Sequence, residues 1–275
     1  MRIRSSKITV CFIAIFCLSL GASVIFAQTD YTDENIITIK KQIESEVRIE
    51  YENDPEFLKL ITSKGRGSGE EMINRIVERR LEQYIEEKEF GTHGQYGDAY
   101  YCIVPSIKQA EKNWCGAACV LQTLYGLGKE WMVSGSTNAQ KQDTLVNNMM
   151  PDFTHVYKLT EELNKYINDK YYIWTRATSS NLDTLPKFNQ RVTGSLYFDR
   201  PVILRVRTQY LSYYDYSTTH YVNVDYILWN GSNCNVSLVD PHYDDSYFGY
   251  HYLSSAEAYS SISNPTNDKS YMIHY

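Results

Sequence analysis

The feature that most restricts the fold is the stretch from His220 to Asp240, where two strand-like runs flank a short turn. His220-Tyr221-Val222-Asn223-Val224-Asp225-Tyr226-Ile227-Leu228-Trp229 is rich in β-branched and aromatic residues, and Cys234-Asn235-Val236-Ser237-Leu238-Val239-Asp240 returns from it. Asn230-Gly231-Ser232-Asn233 supplies the turn chemistry between them. This pattern predicts an antiparallel hairpin. With the turn centred between Gly231 and Ser232, His220 and Asp240 fall within about three residues of standing opposite each other, close enough for a bulge or a different turn to make them neighbours. Pro201 to Val206, strongly apolar, predicts a buried strand, and Tyr100–Val104 and Tyr171–Thr175 predict shorter ones.

The helix to pack on such a sheet is read from Gln109 to Leu124, Q-A-E-K-N-W-C-G-A-A-C-V-L-Q-T-L. Val120, Leu121 and Leu124 follow Cys115 at helical spacing, which predicts a helix from about Trp114 to Tyr125, ended by Gly126 and Gly128. Cys115 then lies in the first turn, where the positive end of the helix dipole favours thiolate over thiol, and the thiolate is the nucleophile. The plain alternative is a buried small hydrophobe or half of a disulfide.

A cysteine nucleophile needs an imidazole to accept its proton and pass one to the leaving group, and a third group to orient that ring. His220 and Asp240, both at the end of the hairpin remote from its turn, suit those roles. Asp240 could instead serve only as a turn former before Pro241. His242 is the runner-up base. His93, His155, His251 and His274 do not begin an apolar strand whose partner closes on an acid, and Asp215 and Asp225 are weaker orienters.

Trp114-Cys115-Gly116 with Gln109 six residues upstream resembles the nucleophile segment of papain-like cysteine peptidases, most nearly the branch that clips double-glycine leaders from bacteriocins. H-Y-V-N-V and V-S-L-V-D-P-H resemble that branch's histidine strand and D-P segment. The resemblance implies a papain-like α+β fold over about 97–275, with the nucleophile helix packed on a twisted antiparallel sheet. It also implies that Cys115 attacks a scissile carbonyl and that Gln109 donates to the oxyanion. The partner is then a peptide or protein substrate. Two departures are plain: Ala117, Ala118 and Cys119 stand where relatives often carry proline or serine, and no transporter segment or nucleotide motif accompanies the region. The same fold can transfer acyl groups or bind peptides without catalysis.

The amino-terminal third reads differently. Arg2, Arg4 and Lys7 precede an apolar run from Ile8 to Ala27, which predicts a secretory signal over 1–27, an uncleaved anchor being the alternative. Export would leave Cys102, Cys115, Cys119 and Cys234 in an oxidising setting, an even number that permits two bridges. Residues 28–95 predict an acidic helical region, either a removable propeptide or a permanent helical subdomain or stalk: Asp33–Glu50, a short helix after Asp54-Pro55, and a third behind a Ser68–Glu71 capping box running to about Glu89. Gly91–Gly97 reads as a linker. From Gln28 to Gly91 there are 16 acidic and 10 basic residues, a difference of -6 that equals the formal charge of the whole chain. No basic stripe for nucleic acid remains, no C-x-x-C pair suggests zinc, and no cofactor is implied. Trp131–Met150 predicts loops with one short helix, Thr160–Asp169 a helix, Thr178–Thr193 turns and loops, and Gln209–Thr219 a tyrosine-rich loop lining a cleft.

Overall fold

The computed structural model describes residues 33–52, 54–90, 97–167, 171–230, 233–263 and 270–275. Residues 1–27, expected to be a secretory signal, His93, most of the Gly91–Gly97 stretch and the two residues expected at the centre of the hairpin turn lie outside them. The architecture is α+β, with an antiparallel sheet at its centre. Three helices come first, α1 (Asp33–Glu52), α2 (Pro55–Lys64) and α3 (Arg66–Phe90). They are followed by β1 (Ala99–Tyr101), α4 (Cys115–Gly126), α5 (Asn138–Met149), α6 (Val156–Asn164), β2 (Ile173–Arg176), α7 (Leu185–Tyr197) and β3 (Val202–Arg207). The hairpin β4 (Thr219–Asn230) and β5 (Asn233–Asp240), then β6 (Gly249–Ser254), α8 (Ser255–Ser263) and β7 (Tyr271–His274), complete the chain. Strand order is β2-β7-β3-β4-β5-β6, with β1 added to β4.

Alternation along the central strands divides the core. Ile203, Tyr221 and Ile273 join the cluster built with α1 to α6, whereas Val202, Leu204, Val206, Val222 and Val224 join residues of α7 and α8. Helices therefore cover both faces, which is why β3 reads as a continuous apolar run. On the first face Asn223, fully buried, fixes α4 to β4: its Nδ2 donates to the Cys119 carbonyl at 3.1 Å and to Gln122 Oε1 at 2.8 Å, and its Oδ1 accepts from Thr123 at 2.9 Å. Gln122 in turn donates to the Ile107 carbonyl at 3.1 Å.

The helical region is not a separate ball. Val47, Tyr51, Leu60 and Ile76 lie in the same cluster as Trp174 and Leu159, and the Tyr51 hydroxyl donates to the Trp174 carbonyl. Arg80 and Asn181 both reach Glu50, at 2.6 and 3.0 Å. Asp54 caps α2 by accepting from the amides of Glu56 and Phe57 at 2.9 and 3.0 Å, as an Asp-Pro start predicts. The helices thus seat on β2 and α6 through side chains that leave their own faces buried.

Three expectations are corrected. Leu185–Tyr197 is a helix where turns and loops were predicted; Phe188, Val192 and Leu196 form its buried stripe, but Asn189, Thr193 and Ser195 are buried among them and mask the period. The helix predicted from Thr160 begins at Val156 and ends at Asn164, whose side chain turns outward from the helix to bond both polar groups of Tyr172's backbone at 2.8 Å. α3 begins at Arg66, so Ser68 sits within it rather than capping it.

One glycine tests the packing beside Cys115. A Cβ on Gly116 would lie 2.9 Å from Cδ2 and 3.3 Å from Cδ1 of Leu159. Gly116→Ala is expected to force that fully buried leucine aside and to cost about 1–3 kcal/mol, read as a lowered urea midpoint with unchanged m-value.

Candidate active site

Cys115 is the first helical residue of α4, entered through Trp114 and through Asn113 at φ 74°, a left-handed conformation that asparagine tolerates better than most side chains. The loop before it is held from two sides. Gln142 of α5, fully buried, donates to the Lys108 carbonyl at 2.9 Å and accepts from the Ala110 amide at 2.8 Å, bracketing Gln109. The Gln109 amide donates to the Pro241 carbonyl at 2.6 Å, which ties this loop to the residue after Asp240.

His220 and Asp240 meet directly, Nε2 to Oδ1 at 2.8 Å. A bulge, one of the two ways to bring the hairpin ends closer in register, is present between Val224 and Tyr226. Pairs near the turn, such as Trp229 with Cys234, keep the expected register; beyond the bulge Val224 faces Leu238 and Asn223 faces Val239, a slip of one residue toward the needed alignment. The rest of the gap is spanned diagonally by the two side chains as β5 ends.

With Nε2 committed to Asp240, the other ring nitrogen of His220 serves the thiol, and His220 and Cys115 are hydrogen-bonded. Burial opposes ionisation of Cys115, but the His220 charge and hydrogen bond, with the backbone amides of Tyr221 and Gly116, outweigh it and hold the thiol below its ordinary value. Burial likewise disfavours a charged His220, and Asp240 and Cys115 together raise it well above an ordinary imidazole. The pair therefore favours thiolate and imidazolium. The other three cysteines are free thiols, not bridges, and each is pushed upward by burial, Cys102 to about 12. Cys119, one turn along α4, is a core residue.

Asp240 is fully buried yet held below the usual carboxylate value, because His220 and a ring of donors offset its desolvation. The His242 amide reaches Oδ1 at 2.8 Å, and the hydroxyls of Tyr214 and Tyr213 reach Oδ2 at 2.8 and 3.1 Å. These tyrosines come from the loop expected to line a cleft; what they line is the acid. Tyr214 also stacks on Tyr247 at 4.6 Å, and Tyr213 on His251 at 3.6 Å. The sequence reading did not assign Tyr213, Tyr214, Asn223 or Gln142 to the site. The only available signal was the density of tyrosine before His220.

The rival candidates are engaged elsewhere. His242 accepts from the Asp244 amide through Nδ1 at 3.0 Å and bonds the Tyr216 hydroxyl through Nε2 at 2.7 Å, which places it beside the pair but not on the thiol. Asp215 accepts from Tyr247 at 2.6 Å. Gln109 is adjacent through its backbone, and its Nε2 spends one hydrogen on the Glu111 carbonyl at 3.0 Å while Oε1 is buried without a partner. A cavity of about 840 Å³ elsewhere on the sheet does not include Cys115, His220 or Asp240. Geometry and charge mark the site.

Tyr214→Phe is expected to remove the shorter Oδ2 bond and to lower kcat/KM about three- to tenfold, the worth of roughly 1 kcal/mol of positioning. KM should barely change, since the hydroxyl meets the acid and not substrate.

No protein-family model matches this chain, and no curated protein matches it.

Proposed function

We propose that the protein is a thiol peptidase of papain-like type, exported from the cell, in which Cys115, His220 and Asp240 hydrolyse peptide bonds. The observation that carries this reading is the buried His220 ring joined to a thiol at a helix start on one side and to a carboxylate on the other. A peptide-binding module without catalysis has no need of a buried ion pair, whose desolvation is costly unless it is fully partnered.

In this reading the Cys115 thiolate attacks the scissile carbonyl carbon, and the displaced electron pair becomes an oxyanion. The Cys115 backbone amide, at a helix start where N–H groups lack helical acceptors, and the second hydrogen of Gln109 Nε2 stabilise that charge. The His220 imidazolium protonates the departing amine, leaving a thioester on Cys115. Neutral His220 then takes a proton from water as the water oxygen attacks the thioester carbon; the C–S bond breaks, the acid leaves, and the released thiolate with the protonated ring is the starting pair. Asp240 holds the ring throughout without itself taking the proton.

Residues 28–95 are proposed as a covering or maturation segment, since the helices share the core with β2 and α6. An amino terminus at Gln28 on the fully active secreted protein would remove that part of the reading.

Treatment of the full chain with a peptidyl epoxide tests the assignment. The expected result is one adduct, on Cys115, lost in Cys115→Ala and reduced at least about a hundredfold in rate in His220→Ala. Equal labelling of Cys102, Cys119 or Cys234, or labelling indifferent to His220, would contradict it.

A further inference from the structure

The cavity of about 840 Å³ lies over β1, β4, β5 and β6. Its floor is a row of residues paired across four strands: Tyr101 stands opposite Tyr226, Tyr226 opposite Ser237, and Ser237 opposite Tyr252. Directly opposed side chains share a face of the sheet, so the three tyrosines form one surface. Tyr226 and Tyr252 meet nearly edge to face, centroids 6.5 Å apart at 76°, which leaves a corner between ring faces. The outer members are strongly exposed, Tyr101 at 64% and Tyr252 at 75%. At the near end the Tyr250 hydroxyl donates to the Val104 carbonyl at 2.7 Å.

Asp225 is set among these rings. It occupies the bulge, the device that lets two successive residues of β4, Asp225 and Tyr226, both line the cavity when a regular strand would send them to opposite faces. Asp225 is buried, at a relative exposure of 9%; Ser237 and its own backbone amide are the hydrogen-bond donors to the carboxylate, and Oδ1 is left without a partner. Among the described residues, no lysine or arginine lines the cavity. Burial accordingly pushes the carboxyl up to about 6, with no neighbouring cation to offset it. A carboxylate left short of donors at the floor of a tyrosine-walled groove is a costly arrangement unless something brings a positive charge to it.

We propose that this groove binds a basic side chain of a peptide, arginine in preference to lysine. A guanidinium can lie flat on a tyrosine face while its fork of N–H groups reaches the carboxylate, a combination an ammonium lacks. Tyr250 pairs with Val239 and the adjoining Gly249 with Asp240, so β5 and β6 run from the groove to the catalytic acid. Under the peptidase reading the groove selects substrates with a basic residue away from the scissile bond. The binding itself does not depend on that reading.

The test uses the full chain carrying Cys115→Ala, so that no probe is cleaved, and a fluorescein-labelled glycine-serine hexapeptide with one arginine or with citrulline, its neutral isostere, in its place. Fluorescence anisotropy is expected to show the arginine peptide binding at least about tenfold tighter. Asp225→Asn should bring the two peptides to parity by weakening only the arginine one. Tyr252→Ala, at an exposed position that the fold does not need, should weaken the arginine peptide about fivefold. Equal binding of the two peptides, no binding of either, or an arginine preference that survives both substitutions would overturn the proposal. Epoxide labelling of Cys115 in an otherwise unaltered Asp225→Asn chain reports on the peptidase reading separately.

Discussion

Cys115→Ala is expected to abolish hydrolysis of peptide substrates, a fall of at least about ten-thousandfold in kcat, because no other group can form the acyl intermediate. The remaining cysteines cannot substitute: all three are buried, and burial raises each of them where His220 and two amides lower Cys115. The fold should survive. Alanine is the better helix former at this position, the helix is fixed to β4 by Asn223 and not by the thiol, and the thiol's own polar partners are His220 and two backbone amides. Digests resolved by mass spectrometry, with circular dichroism on the same samples, separate loss of chemistry from loss of structure. Hydrolysis persisting at wild-type rate in the folded variant would remove Cys115 from the mechanism.

Asp240→Asn is the second large effect, and its sign follows from the charges. The substituted side chain can keep its oxygen toward His220 Nε2 and the His242 amide, while its nitrogen faces Tyr213 and Tyr214, whose hydroxyls can rotate to accept. Geometry is therefore retained and only the negative charge is lost. His220, raised in part by that charge, should fall toward or below its ordinary value, and Cys115 loses part of the positive charge that lowers it. The active form needs a deprotonated thiol and a protonated ring, so activity is present above the thiol's ionisation and lost as pH rises through the ring's. The wild-type kcat/KM profile should accordingly have an alkaline limb well above the usual imidazole range. In Asp240→Asn that limb should move down in pH while the acid limb moves up, with the peak reduced about a hundred- to ten-thousandfold. An unshifted alkaline limb would mean that Asp240 does not hold His220.

How much of this could be read beforehand depended on range. Strands with period two and a helix opening on Cys115 declare themselves within ten or so residues, and so did the ends of the hairpin. The register raised a bulge as one way to join those ends, but nothing local marked its place at Asp225, where the slip is of one residue. α7 was hidden by its own buried polar residues: the Thr193 hydroxyl accepts from the Trp229 indole and the Ser195 hydroxyl donates to the Tyr275 carbonyl, partners far along the chain. The same holds for the site's supports. Asn223 meets Cys119, Gln122 and Thr123 from about a hundred residues away, and Gln142 reaches back to either side of Gln109. Local pattern pointed to Cys115, His220 and Asp240, which the fold brings together; the groups that hold them still are long-range and polar, and no periodicity marks them.

The most direct measurement is the pH dependence of Cys115 alkylation by iodoacetamide, followed by intact mass and localised by digestion, in the full chain and in His220→Ala. The expected result is alkylation confined to Cys115, already fast at pH values where an ordinary thiol is protonated, and in His220→Ala a profile moved to or above the ordinary thiol range. Identical profiles in the two proteins would contradict the thiolate–imidazolium pair, and with it the peptidase reading.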